Sequence, residues 1–269
     1  MGNYFDGKVA LVTGAASGLG RGLCEALVQR GATVIVSDRD LAGAEALVAE
    51  LGADHSSAQS LDVTDPDAVA AAVAAVVEHH GRIDLVFNNA GIAVAGQVQD
   101  VTPQMFKKVV DVNLLGAAYV TQATYAQMIT QGSGHIVNIG SMYGLMPGVF
   151  QSAYVAAKHG LTGLTLSLAA EARERGVDVT LICPGYIDTS LFSSGTYEGK
   201  LDEAAARAAI PFPFIDVQPA VRTILAGVRR RRLIVAFPGY VRAGWTLTRI
   251  SQVFFRWANA RQFKKSLPQ

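Results

Sequence analysis

Cysteine is nearly absent from this chain of 269 residues. The two thiols, Cys24 and Cys183, lie far apart inside apolar segments, which excludes a disulfide framework and a thiolate metal site. The five histidines, at 55, 79, 80, 135 and 159, show no metal-ligand spacing, so no metal is expected. No uninterrupted apolar run is long enough to span a bilayer. The opening segment from Met1 to Asp6 has no basic n-region or cleavable apolar stretch, and Asp6 stands where a myristoylation signal wants Ser or Thr. A reducing, cytoplasmic setting is the expectation.

Acid is missing from one end. Residues 222–269 hold 11 Lys/Arg and no Asp or Glu, whereas residues 1–221 hold 12 Lys/Arg against 22 Asp/Glu, a balance of −10. The net charge of +1 conceals this division.

What is present is a full α/β pattern. Half the residues are hydrophobic, enough to bury a sizeable core. Short β-branched runs alternate with longer helical stretches from Lys8 onward, without a repeat or a low-complexity linker. Strands are predicted over 9–12, 33–37, 57–61, 83–87, 135–139, 177–182 and 233–237. A long helix starts at Thr102-Pro103 and runs through Asn113 towards Ile129, and another carries Tyr154 to about Arg175. The fold class is α/β: a Rossmann-like doubly wound parallel sheet of about seven strands, a single domain with a C-terminal helical extension.

The first strand feeds a glycine-rich turn, Thr13-Gly14-Ala15-Ala16-Ser17-Gly18-Leu19-Gly20, before a helix. Glycines there let the backbone approach a pyrophosphate, whose charge is favoured by the free N–H groups of the helix N-terminus. Asp38 closes the second strand, where a carboxylate can accept hydrogen bonds from a ribose diol and repel a 2′-phosphate. Arg39 argues for NADP, because a guanidinium can grip that phosphate. Ser17, where a basic residue would help NADP, tips the balance to NAD. Asp62-Val63 suits the adenine ring, although an Asp ahead of Thr64-Asp65-Pro66 also suits helix entry.

Farther along stand Asn113, Ser141, Tyr154 and Lys158, in that order. Interconverting an alcohol and a carbonyl needs a hydride on one face and a proton for the alkoxide. A phenol titrates near ~10, and lowering it to about 7 takes ~4 kcal/mol of preferential phenolate stabilisation. Lys158, one helical turn from Tyr154, supplies positive charge, and Ser141 can hold the substrate oxygen in line. Each residue alone has a bland reading as cap, packing or surface; together they point to an oxidoreductase.

These motifs, with Asn88-Asn89-Ala90-Gly91, Tyr154-Val155-Ala156-Ala157-Lys158, and Pro184-Gly185 followed by Thr189, resemble the classical short-chain dehydrogenase/reductase family from Lys8 to about Pro238. The resemblance implies that Asn88 to Gly91, including Asn89 and Ala90, stabilise the central sheet and line the cofactor cleft. It also implies that Ile187 and Thr189 meet the nicotinamide carboxamide, and that Lys158 bonds the nicotinamide ribose. Asn113, by the same resemblance, kinks its helix and holds a water linking Lys158 to solvent. Homodimers or homotetramers through the Asn113 and Tyr154 helices follow from it too.

Substrate-facing candidates are Ile92 to Ala95, Met142 to Met146 with Tyr143, Phe150, Tyr186, Leu191 and Phe192, besides Ser141 itself. Nearly all are apolar, so a lipophilic secondary alcohol or ketone of steroid, retinoid, terpenoid or long-chain carbonyl type is the expected substrate. The rival reading is an NAD-binding sensor or interaction module without turnover, acting through the tail. The chain thus divides into a dinucleotide-binding and catalytic domain, 1–240, with a mobile substrate loop at 190–215, and a basic amphipathic extension, 241–269. Val241 to Ala258 reads as one helix with Leu247, Ile250, Val253, Phe254 and Trp257 on an arc and Arg242, Arg249 and Arg256 along its flank. Packing on the protein's own body or a partner subunit is the favoured role for that arc, with peripheral contact at an anionic membrane as the alternative. Nucleic acid is not expected, because a basic run alone supplies no base-reading element.

Overall fold

The structure is a computed structural model that describes residues 3–266 apart from positions 194, 200, 209 and 211. Several side chains, Phe254 among them, lie outside the described residues, and so does its place on the predicted arc. Along the chain run β1 (Val9–Thr13), α1 (Gly18–Val28), β2 (Thr33–Asp38), α2 (Leu41–Leu51), β3 (Ser56–Ser60), α3 (Pro66–His80), β4 (Leu85–Asn88) and β5 (Val94–Ala95). Then follow α4 (Pro103–Val110), a π-helical segment (Asp111–Gly116), α5 (Ala117–Gln131), β6 (Gly134–Ile139), α6 (Ser152–Ala172) and β7 (Val177–Pro184). The last elements are α7 (Ser190–Ser193), β8 (Thr196–Tyr197), α8 (Glu203–Ala208), α9 (Val217–Arg229), β9 (Ile234–Phe237), α10 (Gly239–Ile250) and α11 (Gln252–Ser266).

Seven strands form one parallel sheet in the order β3-β2-β1-β4-β6-β7-β9. Alternation sorts their side chains between two cores. Ala10, Val12, Val34, Val36 and Phe87 face α1, α2 and α9, whereas Val9, Leu11, Ile35, Val86 and Ile136 face α3, α5 and α6. Helix starts are set by local chemistry: the Asp65 carboxylate accepts from the N–H groups of Asp67 and Ala68, with Pro66 in the first turn, and Thr102 accepts from Met105 ahead of Pro103. The chain order reverses between β1 and β4, which opens a crevice at their carboxyl ends, where open α/β sheets hold ligands.

Three differences from the sequence-based expectation stand out. Segment 190–215, expected to be irregular, carries α7, β8 and α8, and β8 pairs in parallel with β5 through Val94 with Thr196 and Ala95 with Tyr197. The long helix through Asn113 is interrupted by the π segment. The tail is two helices, because Ser251 adopts an extended backbone (φ −146°, ψ 96°). Val241 and Trp245 of α10 do pack on the body, beside Met142 and Met146, but Leu247, Ile250, Val253 and Trp257 are exposed. The expected packing of that arc on the protein's own body is therefore not found.

Candidate active site

The crevice is a cleft of about 500 Å³ that runs from the glycine turn to the Tyr154 helix. Its near end is a cradle in which added side chains would collide. A Cβ on Gly14 (φ +61°) would lie 2.7 Å from Ala90 Cα, and one on Gly20 would lie 2.1 Å from the Gly14 oxygen. Gly18 (φ +53°) faces Thr189 across the cleft. Ser17 is the N-cap of α1 yet makes no capping bond; its hydroxyl lies 3.4 Å from that of Ser190. The first N–H groups of α1 therefore point at the cleft without a side-chain cap, an arrangement suited to a phosphate. The residues fit the pyrophosphate of a dinucleotide.

Thr13 knits this cradle to the next strand. Its hydroxyl donates to the Phe87 oxygen at 3.3 Å and accepts from the N–H groups of Asn89 (3.0 Å) and Ala90 (3.1 Å), while Asn89 Nδ2 donates to the Thr13 and Gly14 oxygens at 3.0 and 2.9 Å. Below it, Asn88 Nδ2 donates to Thr121 Oγ1 (2.9 Å) and Asn138 Oδ1 (2.7 Å), and Asn138 Nδ2 donates to Thr165 Oγ1 (2.9 Å). That ladder locks β4 and β6 to α5 and α6.

Asp38, Arg39, Asp62 and Val63 line the same cleft where it passes the ends of β2 and β3. Asp38 accepts from the N–H groups of Ala16 and Asp40, each at 3.0 Å, so the carboxylate also braces the glycine turn. Asp62 accepts from the N–H and hydroxyl of Thr64 at 2.9 and 2.7 Å. These bonds, with a smaller contribution from the Arg39 charge, hold its carboxyl below the usual range.

At the other end stand Ser141, Tyr154 and Lys158, with Ile139, Gly140, Pro184, Gly185 and Ile187 around them. Ser141 follows β6 and its hydroxyl accepts from the Tyr143 N–H at 3.1 Å. Lys158 is buried, donates from Nζ to the Ile139 oxygen at 2.8 Å and lies 5.6 Å from the centre of the Tyr154 ring. Burial pulls its ammonium down to about 8. Burial pushes the Tyr154 phenol up to about 12, offset in part by its hydrogen bond with Ser141 and reinforced by Tyr143. The expected lowering by Lys158 is thus not produced by the protein's own groups, because desolvation outweighs a lysine held by a backbone carbonyl. Asn113 does not line the cleft; its buried amide is bonded to the backbone of Ile92, which does.

The sequence pattern described as short chain dehydrogenase matches residues 8–198. The chain belongs to the short-chain dehydrogenase family. It is 32% identical to the dehydrogenase/reductase SDR family member 7B of Bos taurus over 98% of this chain and 84% of that protein. It is 38% identical to the cyclohexanol dehydrogenase of Acinetobacter sp. (strain SE19) over 72% of this chain and 78% of that one. Among solved structures, a short-chain dehydrogenase/reductase from Burkholderia phymatum in complex with NAD is 26% identical, covers 93% of this chain and 95% of its own, and superposes with a TM-score of 0.84. The family is one of oxidoreductases that bind NAD(P).

Beside the dehydrogenase cleft, a second hollow of about 50 Å³ opens between β5, α7, β8 and α8. Tyr143, Phe150, Tyr186 and Phe192 line it, and Leu191 borders both spaces. The Tyr143 and Tyr186 hydroxyls are 2.5 Å apart, and Tyr143 meets the Tyr154 ring edge-on at 6.5 Å. Met142 lines neither space. It is buried with Met146 and Val241, so its contact is with α10 and it is not placed as a substrate residue. Sequence reasoning missed Thr13 as a brace, Ser190 opposite Ser17, and Tyr197, Leu201, Ala206 and Ile210 in the hollow. The last four belong to a segment whose glycines and prolines mask its short elements.

Proposed function

We propose that this dehydrogenase interconverts a lipophilic secondary alcohol and its ketone, with NAD as the hydride carrier and Tyr154 as the general acid/base. The observation that carries the proposal is the meeting of Ser141, Tyr154 and Lys158 in one cleft between the glycine cradle and an apolar hollow. When bound, the nicotinamide supplies or accepts the hydride and, oxidised, adds positive charge. Ser141 holds the substrate oxygen within reach of the Tyr154 hydroxyl. Tyr154 gives its proton to the developing alkoxide during reduction and takes it back during oxidation. Lys158, charged below about 8, offers its remaining N–H groups to a ribose, and the oxidised nicotinamide adds the positive charge that the buried phenol lacks.

The lipophilic class is supported by the aromatic lining and by the absence of Lys or Arg among the described residues that line the hollow. NAD over NADP is supported by Asp38 at the ribose end, with Arg39 as the opposing group. An oligomer through the Asn113 and Tyr154 helices is supported by Leu115 and Leu166, which are exposed there. Cys24 and Cys183 are buried free thiols, consistent with a reducing compartment. The test is a screen of lipophilic alcohols and ketones with NAD(H) and NADP(H), following absorbance of the reduced nicotinamide. Turnover with NAD supports the reading; turnover restricted to small charged substrates overturns the lipophilic class.

A further inference from the structure

Beyond Asp216 the chain contains no acid, and the structure gathers four of its arginines in one place. Arg222, Arg230, Arg232 and Arg242 line a cleft of about 550 Å³ beside β9, at the edge of the sheet. Among the described residues, Arg231 is the one cation of this region in an ion pair, with Asp178 at 3.1 Å. Next to the cleft, α10 is anchored by its buried face, Val241 and Trp245, while Ile250 is 76% exposed. The first turns of α11 add two more exposed apolar side chains, Val253, 70% exposed, and Trp257, 56% exposed. Arg249 lies over the Trp245 ring at 5.7 Å and Arg261 over the Trp257 ring at 5.5 Å, so cations border the apolar residues.

We propose that this C-terminal face docks on an anionic phospholipid membrane. Lipid phosphates enter the arginine cleft, and Ile250, Val253 and Trp257 reach the boundary between headgroups and acyl chains. Among the described residues no helix is long and apolar enough to cross a membrane, so the contact lies on the surface. Charge complementarity selects this occupant. A second copy joined through the same face would set arginines against arginines. A nucleic acid would satisfy the cations and leave Ile250 and Val253 in water. Docking also has a consequence for the hollow, since Phe263 of α11 stacks on Phe150 of its lining at 5.2 Å. The hollow would then open close to lipid. The docking itself stands whatever the substrate proves to be.

The test is co-sedimentation of the full chain with vesicles of phosphatidylcholine alone and of phosphatidylcholine mixed with phosphatidylserine. Binding to the mixed vesicles only, released by high salt, is expected. Arg230→Glu with Arg249→Glu should weaken it about tenfold or more, and Ile250→Asp with Val253→Asp should weaken it comparably. All of these side chains are exposed, so thermal unfolding should be unchanged. Failure to bind mixed vesicles at low salt overturns the proposal, as does equal binding to neutral vesicles. Self-association abolished by the same substitutions without vesicle binding, or capture of duplex DNA indifferent to the Ile250 and Val253 changes, overturns it in favour of the other occupants.

Discussion

Asn113 and Ile92 exchange two hydrogen bonds of 2.8 Å each: Asn113 Oδ1 accepts from the Ile92 N–H and Asn113 Nδ2 donates to the Ile92 oxygen. The side chain therefore ties the π segment to the cleft wall, with Ile92 beside Gly91 and Ala93. Asn113→Ala should leave both Ile92 groups unpaired, at about 1–3 kcal/mol each, towards the lower end because Ile92 is only half-buried. Urea unfolding measures the loss, and kcat should fall with it; wild-type stability would show that water replaces the amide at no cost.

The Asp38 carboxylate has two tasks, and Asp38→Ser removes both. Loss of the ribose acceptor and of the repulsion toward a 2′-phosphate should shift preference from NAD towards NADP by about tenfold, or ~1.4 kcal/mol. The Ala16 N–H also loses its partner, so absolute affinity for NAD should drop further than the preference alone requires. Titration with both cofactors measures it. An unchanged preference would place the ribose elsewhere.

His135 sits buried between Tyr4 Oη (3.1 Å from Nδ1) and Thr180 Oγ1 (2.8 Å from Nε2), and burial pulls its imidazole from 6.5 down to about 3. Between those values the unfolded chain binds a proton that the folded chain refuses. Stability should therefore decline as pH falls through that window, by up to about 1.4 kcal/mol per pH unit from this group. His135→Gln should flatten the decline measured by urea unfolding at several pH values. An identical slope would assign acid sensitivity to other groups.

The sheet and the cofactor cradle were legible because each rests on a local rule. Buried β-branched runs make strands, and Gly14, Gly18 and Gly20 stand where any Cβ meets backbone or a neighbouring side chain. The helix starts at Pro66 and Pro103 followed from caps three or fewer residues away. What escaped depends on distant partners. Ser251 breaks the tail helix with no glycine or proline to announce it, and Met142 turns towards Val241, about a hundred residues on. The Tyr154 phenol was read from its neighbour at i+4, whereas its burial, a property of the whole fold, sets the direction of its shift.

The central claim is that Tyr154 moves the proton while the rest of the cleft holds the cofactor. The most direct measurement compares Tyr154→Phe with the parent protein, following NADH formation from a lipophilic secondary alcohol and NADH affinity by fluorescence titration. The account predicts a loss of about 10²–10⁴-fold in kcat, with NADH affinity nearly unchanged. Parent-like turnover in the Phe variant would contradict it.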